Sequence, residues 1–67
     1  MSVLKVIEIL ANSPSSWDDA AQKAIDEASK SVKNIKSVYV NELNARVEDN
    51  KIVEYRINAK ITFEVNN

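Results

Sequence analysis

Residues 51–65 read Lys-Ile-Val-Glu-Tyr-Arg-Ile-Asn-Ala-Lys-Ile-Thr-Phe-Glu-Val. Val53, Tyr55, Ile57, Ala59, Ile61, Phe63 and Val65 alternate without a break with Ile52, Glu54, Arg56, Asn58, Lys60, Thr62 and Glu64. Seven consecutive apolar positions at a period of two predict a strand with one buried face. At ~3.3 Å per residue such a strand is roughly 50 Å long. The chain offers one helical pattern to cover it, about eighteen residues and so about 27 Å long. One helix cannot shelter the whole apolar face of this strand. The remainder calls for another chain, because a long edge strand left bare is a site of aggregation.

Upstream, Val3, Leu4, Val6, Ile7, Ile9 and Leu10 crowd the segment Val3–Ala11. Its β-branched content and short length favour a strand covered on both faces for much of its length. Asn12-Ser13-Pro14-Ser15-Ser16 breaks it and starts a helix. Ser is a strong N-cap, and Pro suits the first helical position. Asp18 lies three residues after Ser15 and Asp19 three after Ser16, so either pair can form a capping-box variant. Trp17, Ala20, Ala21, Ala24, Ile25, Ala28 and Val32 then fall on one helical stripe. Four alanines in that stripe let the helix lie close to its neighbour. Asp19–Lys23 and Asp26–Lys30 are acid-before-base pairs at i, i+4.

Asn34 is placed to act as a left-handed cap where another chain would use Gly. A second strand follows from about Lys36 to Val47. Val38 and Val40 are read as pointing one way, with Tyr39, Leu43, Ala45 and Val47 pointing the other. The polar Asn41, Glu42 and Asn44 suggest a bulge or an interface. Asp49-Asn50 supplies a hairpin turn without glycine, since Asn tolerates positive φ. The predicted class is α+β: one domain over residues 1–67, a βαββ antiparallel three-stranded sheet curled around one helix.

Composition removes whole classes of function. The 67 residues contain no Cys, no His and no Gly. Disulfides, thiolate zinc sites, imidazole bases and glycine-built phosphate loops are thereby excluded. A net charge of −1 argues against nucleic acid and against anionic lipid. The apolar run at the start is too short to span a membrane, is interrupted by Lys5 and Glu8, and lacks a signal-peptide pattern. A soluble cytoplasmic protein is expected. With neither disulfide nor obvious metal to staple so small a core, self-association into a homo-oligomer is expected too.

Lys5-Val6-Ile7-Glu8-Ile9, Ser13-Pro14-x-Ser16-Trp17 and the alanine-rich helix Ala20 to Val32 resemble the dodecins. Asn34-Ile35-Lys36, Val40, Glu42, Val47-Glu48-Asp49, Ile52-Val53-Glu54-Tyr55 and Lys60-Ile61-x-Phe63 continue the resemblance over nearly the whole chain. It implies a hollow dodecamer that binds and stores flavin (FMN, riboflavin or FAD) without catalytic turnover. In that family a Trp at the start of the second strand stacks on the isoalloxazine ring, and a Gln on the third strand bonds its polar edge. The matching positions here are Ser37 and Arg56, the candidate cofactor-binding residues. A lost stacking platform is worth ~1–3 kcal/mol per ring, or a tenfold to hundredfold weaker flavin affinity. Arg offers donors only, whereas Gln offers a donor and an acceptor. Ala11 and Asn50 stand where the family often has Gly.

Other side chains have sharper and plainer readings. Glu42, where the family often keeps an acid, can ligate a divalent cation near a symmetry axis where copies of one carboxylate converge. Otherwise it is solvated or ion-paired. Arg56 can clamp a phosphate or carboxylate, or pair with Glu8, Glu54 or Glu42. Trp17 is either a displaced ligand platform or packing at the helix start. Glu48-Asp49-Asn50 is a turn, and Tyr39 and Tyr55 are packing residues. Ser37 has no base near it, so it is no nucleophile, and no catalytic residue is assigned. Carboxylate-only catalysis needs a cleft with two placed acids, for which a chain this short has little room. The alternatives to a flavin store are a metal-ion or anion cage and a purely structural or interaction module.

Overall fold

A computed structural model describes residues 3–65. Its elements are β1 (Val3–Ser13), α1 (Trp17–Ala28), β2 (Ile35–Glu48) and β3 (Lys51–Val65). The strands form one antiparallel sheet in the order β1-β3-β2. The long alternating strand is thus the centre of the sheet, and β1 and β2 are its edges. The order follows from the connections. A two-residue hairpin places β3 beside β2, and the helical crossover leaves β1 to pair on the other side.

The inward set of β3 meets α1. Ala20, Ala24 and Ala28 are buried at i, i+4 and i+8 of the helix, against Ile57, Ala59 and Ile61 of β3. Small side chains on both sides bring the helix axis close to the sheet. Ile7, Ile9 and Ala11 of β1 and Val38 and Val40 of β2 close the core from the flanks.

Several local expectations are corrected. The helix stops at Ala28, well before Val32. The amides of Ser31 and Val32 turn back onto the Ala28 carbonyl at 3.0 and 2.9 Å, and that turn drops Val32 onto Ala24, Ala28 and Ile61. Val32 keeps the helical stripe's contacts without being helical, which is why periodicity overran the end. Pro14 precedes the cap by two residues, and the N-cap is Ser16, whose Oγ accepts from the Asp19 amide at 3.0 Å. In β2 a register shift between Val40 and Glu42 re-phases the strand. Leu43 and Ala45 therefore join Val38 and Val40 opposite the inward residues of β3, and only Tyr39 and Val47 face the other way. Asn34 does have positive φ (61°), but it opens β2, where its carbonyl accepts from the Glu64 amide at 3.0 Å. Lys30 pairs with Glu27 rather than Asp26.

The chain is a curled slab of 51 × 19 × 13 Å with a radius of gyration of 13.7 Å. A globular chain of this length would have a radius of roughly 11 Å. Its accessible surface is 4949 Å², against roughly 4,200 Å² for a monomer of this mass. Large apolar residues contribute to the excess, but not those that the alternation of β3 placed on its inner face. The most exposed large apolar residues belong chiefly to the edge strands, led by Leu10 at 76% and Tyr39 at 64%. Leu4, Val6 and Leu10 of β1 and Tyr39 of β2 pair with Glu64, Thr62, Asn58 and Lys60 of β3. They share the face turned away from α1, which nothing among the described residues covers.

Candidate functional site

On that second face lies a groove of about 500 Å³. Two rows of side chains form it, each running across all three strands. One row is Asn12, Arg56 and Asn44, and the next is Leu10, Asn58 and Glu42. The re-phasing of β2 after Val40 is what sets Glu42 directly opposite Asn58. Without that extra residue Glu42 would turn toward the helix, because a one-residue slip exchanges the faces of a strand.

Arg56 finds its counter-ion beside it. Its Nε donates to Glu54 Oε1 at 2.6 Å, and Arg46 Nε lies 3.8 Å from the same oxygen. Arg46 Nη1 also reaches Glu48 at 3.2 Å. Glu54 is thus held between two guanidiniums, which settles the ion-pair reading of Arg56 on Glu54 rather than Glu8 or Glu42. Glu42 itself makes no ion pair or side-chain hydrogen bond among the described residues. The Asn58 carbonyl oxygen, Oδ1, is buried without a hydrogen-bond partner.

Ser37 is not part of this groove. It stands exposed opposite Thr62, six residues along β3 from Arg56 and so ~20 Å away. Within one chain, the two positions matched to flavin contacts do not meet. Among the described residues no aromatic ring lines the groove. Trp17 is on the opposite side of the sheet, edge-on to Tyr55 with ring centroids 4.8 Å apart. Its Nε1 donates to the Asn44 carbonyl at 2.9 Å. Trp17 is therefore a packing residue with its polar atom satisfied. Glu48-Asp49-Asn50 forms the expected turn, with φ of 50° at Asp49 and 64° at Asn50.

A second polar cluster lies at the junction of β1 and α1. Ser13 is fully buried; its hydroxyl donates to Asp19 Oδ2 at 2.5 Å and accepts from the Ser15 and Ser16 amides at 2.9 and 3.4 Å. Lys23 Nζ lies 3.1 Å from the same Asp19 oxygen. The Ser13 hydroxyl first, and the Lys23 ammonium second, hold the Asp19 carboxyl below its ordinary value. The Ser13 hydroxyl and Asp19 Oδ2 are both engaged in holding the start of the helix, so this cluster positions the helix.

Sequence reasoning missed Asn58 and Asn12 as site residues, and read Asn44 only as marking a bulge or an interface. Asn is depleted in strands, and its recurrence on β2 and β3 was a usable signal. Nothing in a linear pattern showed that these residues converge.

Among the described residues, no group of three or more acidic side chains sits close enough to hold a metal ion alone. The groove's uncommitted donors are one carboxylate and neighbouring amide oxygens, which is hard-cation chemistry. The fold and groove thus define a small α+β protein with an open, unshielded sheet face and a site of small-ligand size. The family profile described as Dodecin matches residues 3–66, and the chain belongs to the dodecin family, whose members are small ligand-binding homo-oligomers. It is 38% identical over 65 residues to calcium dodecin of Mycobacterium tuberculosis, covering 97% of this chain and 92% of that one. The crystal structure of that relative, described as calcium chelating with a novel calcium-binding site, superposes with a TM-score of 0.81 at 37% identity, covering 97% and 93% of the two chains. A Thermus thermophilus dodecin variant superposes with a TM-score of 0.93 at 21% identity, over 100% of both chains, and shows the shared fold.

Proposed function

We propose that this protein is a non-catalytic store for a small ligand, assembled as a hollow dodecamer, and that the ligand is a divalent cation, calcium first. The observation that carries the reading is the groove. An uncommitted Glu42 carboxylate faces Asn58 across the β2–β3 pair, with no aromatic platform beside it. One carboxylate per chain is a weak calcium site, since affinity follows the number of charged ligands. Convergence of copies around a symmetry axis would multiply that charge. The relative bearing the name calcium dodecin supports the same choice.

A flavin is the second reading, favoured by family membership and by Arg56, whose terminal nitrogens have no partner among the described residues. Ser37 weakens it, because no ring stands where a flavin would stack. The two readings separate in one pair of titrations. Chelator-stripped protein titrated with calcium chloride in a calorimeter should show saturable heat. Riboflavin and FMN at micromolar concentration should keep their fluorescence. Quenched flavin and flat calcium heats would reverse the choice.

A further inference from the structure

We propose that Asn58 is a direct ligand of the bound cation, its Oδ1 coordinating together with the Glu42 carboxylate, and with the Asn44 amide oxygen as the next donor along β2. The proposal rests on the cation reading of the groove and assigns its ligands.

Three observations meet on this residue. First, Oδ1 of Asn58 is buried and makes no hydrogen bond. Buried polar atoms are paired as a rule, and an exception demands an account. Second, Asn58 is the cross-strand partner of Glu42. Side chains so paired start from Cβ atoms about 5 Å apart. Two oxygens bound to one calcium ion at 2.3–2.6 Å lie up to about 5 Å apart. The spacing of the pair is compatible with both side chains reaching one ion. Third, the nearby donors do not serve Oδ1. Arg56 is one row along and donates its Nε to Glu54, and Glu42 can only accept. An acceptor facing an acceptor, with a further amide at Asn44 in the same groove, is completed by a cation. The competing account is a donor from a neighbouring copy.

Two substitutions separate these accounts. Asn58→Leu keeps much of the volume and deletes both amide atoms. Asn58→Asp keeps the shape and adds a charge facing Glu42. Each is compared with the parent in the assembled state, by calorimetry with calcium chloride and by the emission of Trp17. That ring is bonded to the Asn44 carbonyl and so reports on the groove. Asn58→Leu should weaken calcium at least about tenfold, and Asn58→Asp should tighten it by a similar factor, as ligand charge does in other calcium sites. Calcium binding that is unchanged in both variants overturns the assignment and leaves the cation store standing. So does an Asn58→Leu protein that loses assembled mass while Asn58→Asp binds calcium no better. If Asn58→Leu does not fold, Asn58→Asp decides alone: tighter binding supports the proposal, and equal or weaker binding overturns it. A parent protein that takes up no calcium sinks both the assignment and the reading beneath it.

Discussion

The Trp17 indole N–H donates to the Asn44 carbonyl oxygen at 2.9 Å, across 27 residues of chain. This bond ties the first turn of α1 to the strand that carries Glu42, two residues from it. The contact is solvent-facing, so its worth is that of one ordinary hydrogen bond, about 1 kcal/mol. Trp17→Phe keeps an aromatic edge for Tyr55 and removes only the donor. Urea unfolding should show a loss of about 1 kcal/mol with secondary structure unchanged. A loss several times larger would show that ring volume, and not the bond, is what matters at this position.

Ser13 and Asp19 make stability depend on acid. The Asp19 carboxyl is held below its ordinary value of 3.8, first by the Ser13 hydroxyl and then by Lys23. A carboxyl depressed in the folded state stabilises fully above its unfolded value, and that contribution disappears as pH falls through the lower folded value. Ser13→Ala removes the larger cause. The stability gap between parent and variant should be widest near neutral pH and should shrink below about pH 4. Denaturant melts at several pH values measure this, and a gap that stays constant with pH contradicts the assignment.

Much of this molecule was legible from period and punctuation, and the failures have particular causes. The alternation of β3 marked its buried face, at whose centre Ile57, Ala59 and Ile61 lie. The turn at Asp49-Asn50 was legible because only a few residue types accept positive φ. Val32 misled, because a residue can rejoin a helical stripe through a turn. Leu43 and Ala45 misled because a single bulged residue reverses the side chains after it, here until a second shift between Arg46 and Val47. An uncovered apolar surface was expected on β3, and the structure places most of it elsewhere. It lies on the edge strands, whose outer face reads as a mixture of polar and apolar residues. At the site, Glu42 and Arg56 stood out through charge. The Asn58 orphan did not, because an unpaired oxygen is a property of surroundings.

Val6 tests the uncovered face. It pairs with Thr62, outside the groove, and is 56% exposed in the single chain. In a lone chain Val6→Glu would be a mild surface change, within about 0.5 kcal/mol. In a homo-oligomer that buries this face, it places a charge in an apolar contact. Light scattering after gel filtration should give a lower mass for the variant than for the parent, with circular dichroism unchanged. Equal masses would mean that assembly uses another surface.

Ser37 and Arg56 allow the flavin reading to be engineered back. The two positions are too far apart in one chain to touch one ring, so they can act together only when copies adjoin. Ser37→Trp combined with Arg56→Gln restores a stacking surface and an amide with both donor and acceptor. Riboflavin affinity should rise at least about tenfold, from stacking worth ~1–3 kcal/mol per ring. Fluorescence quenching reads the change, and a double variant that binds no better than the parent denies any flavin geometry to this assembly.

Asn50 tests whether the hairpin sets the site. Both turn residues have positive φ, 50° at Asp49 and 64° at Asn50, as a two-residue turn between twisted strands requires. Left-handed backbone costs an ordinary L-residue about 1–2 kcal/mol, and Asn less, because its side chain can bond locally. Asn50→Ala should therefore cost about 1 kcal/mol. Asn50→Gly should lie within a few tenths of the parent, since easier φ is offset by a freer unfolded chain. The turn also fixes the register that sets Glu42 against Asn58. If calcium binds in that register, Asn50→Gly should leave the affinity unchanged. A longer insertion at the turn that slips β2 by one residue should abolish it, because Glu42 would then face α1.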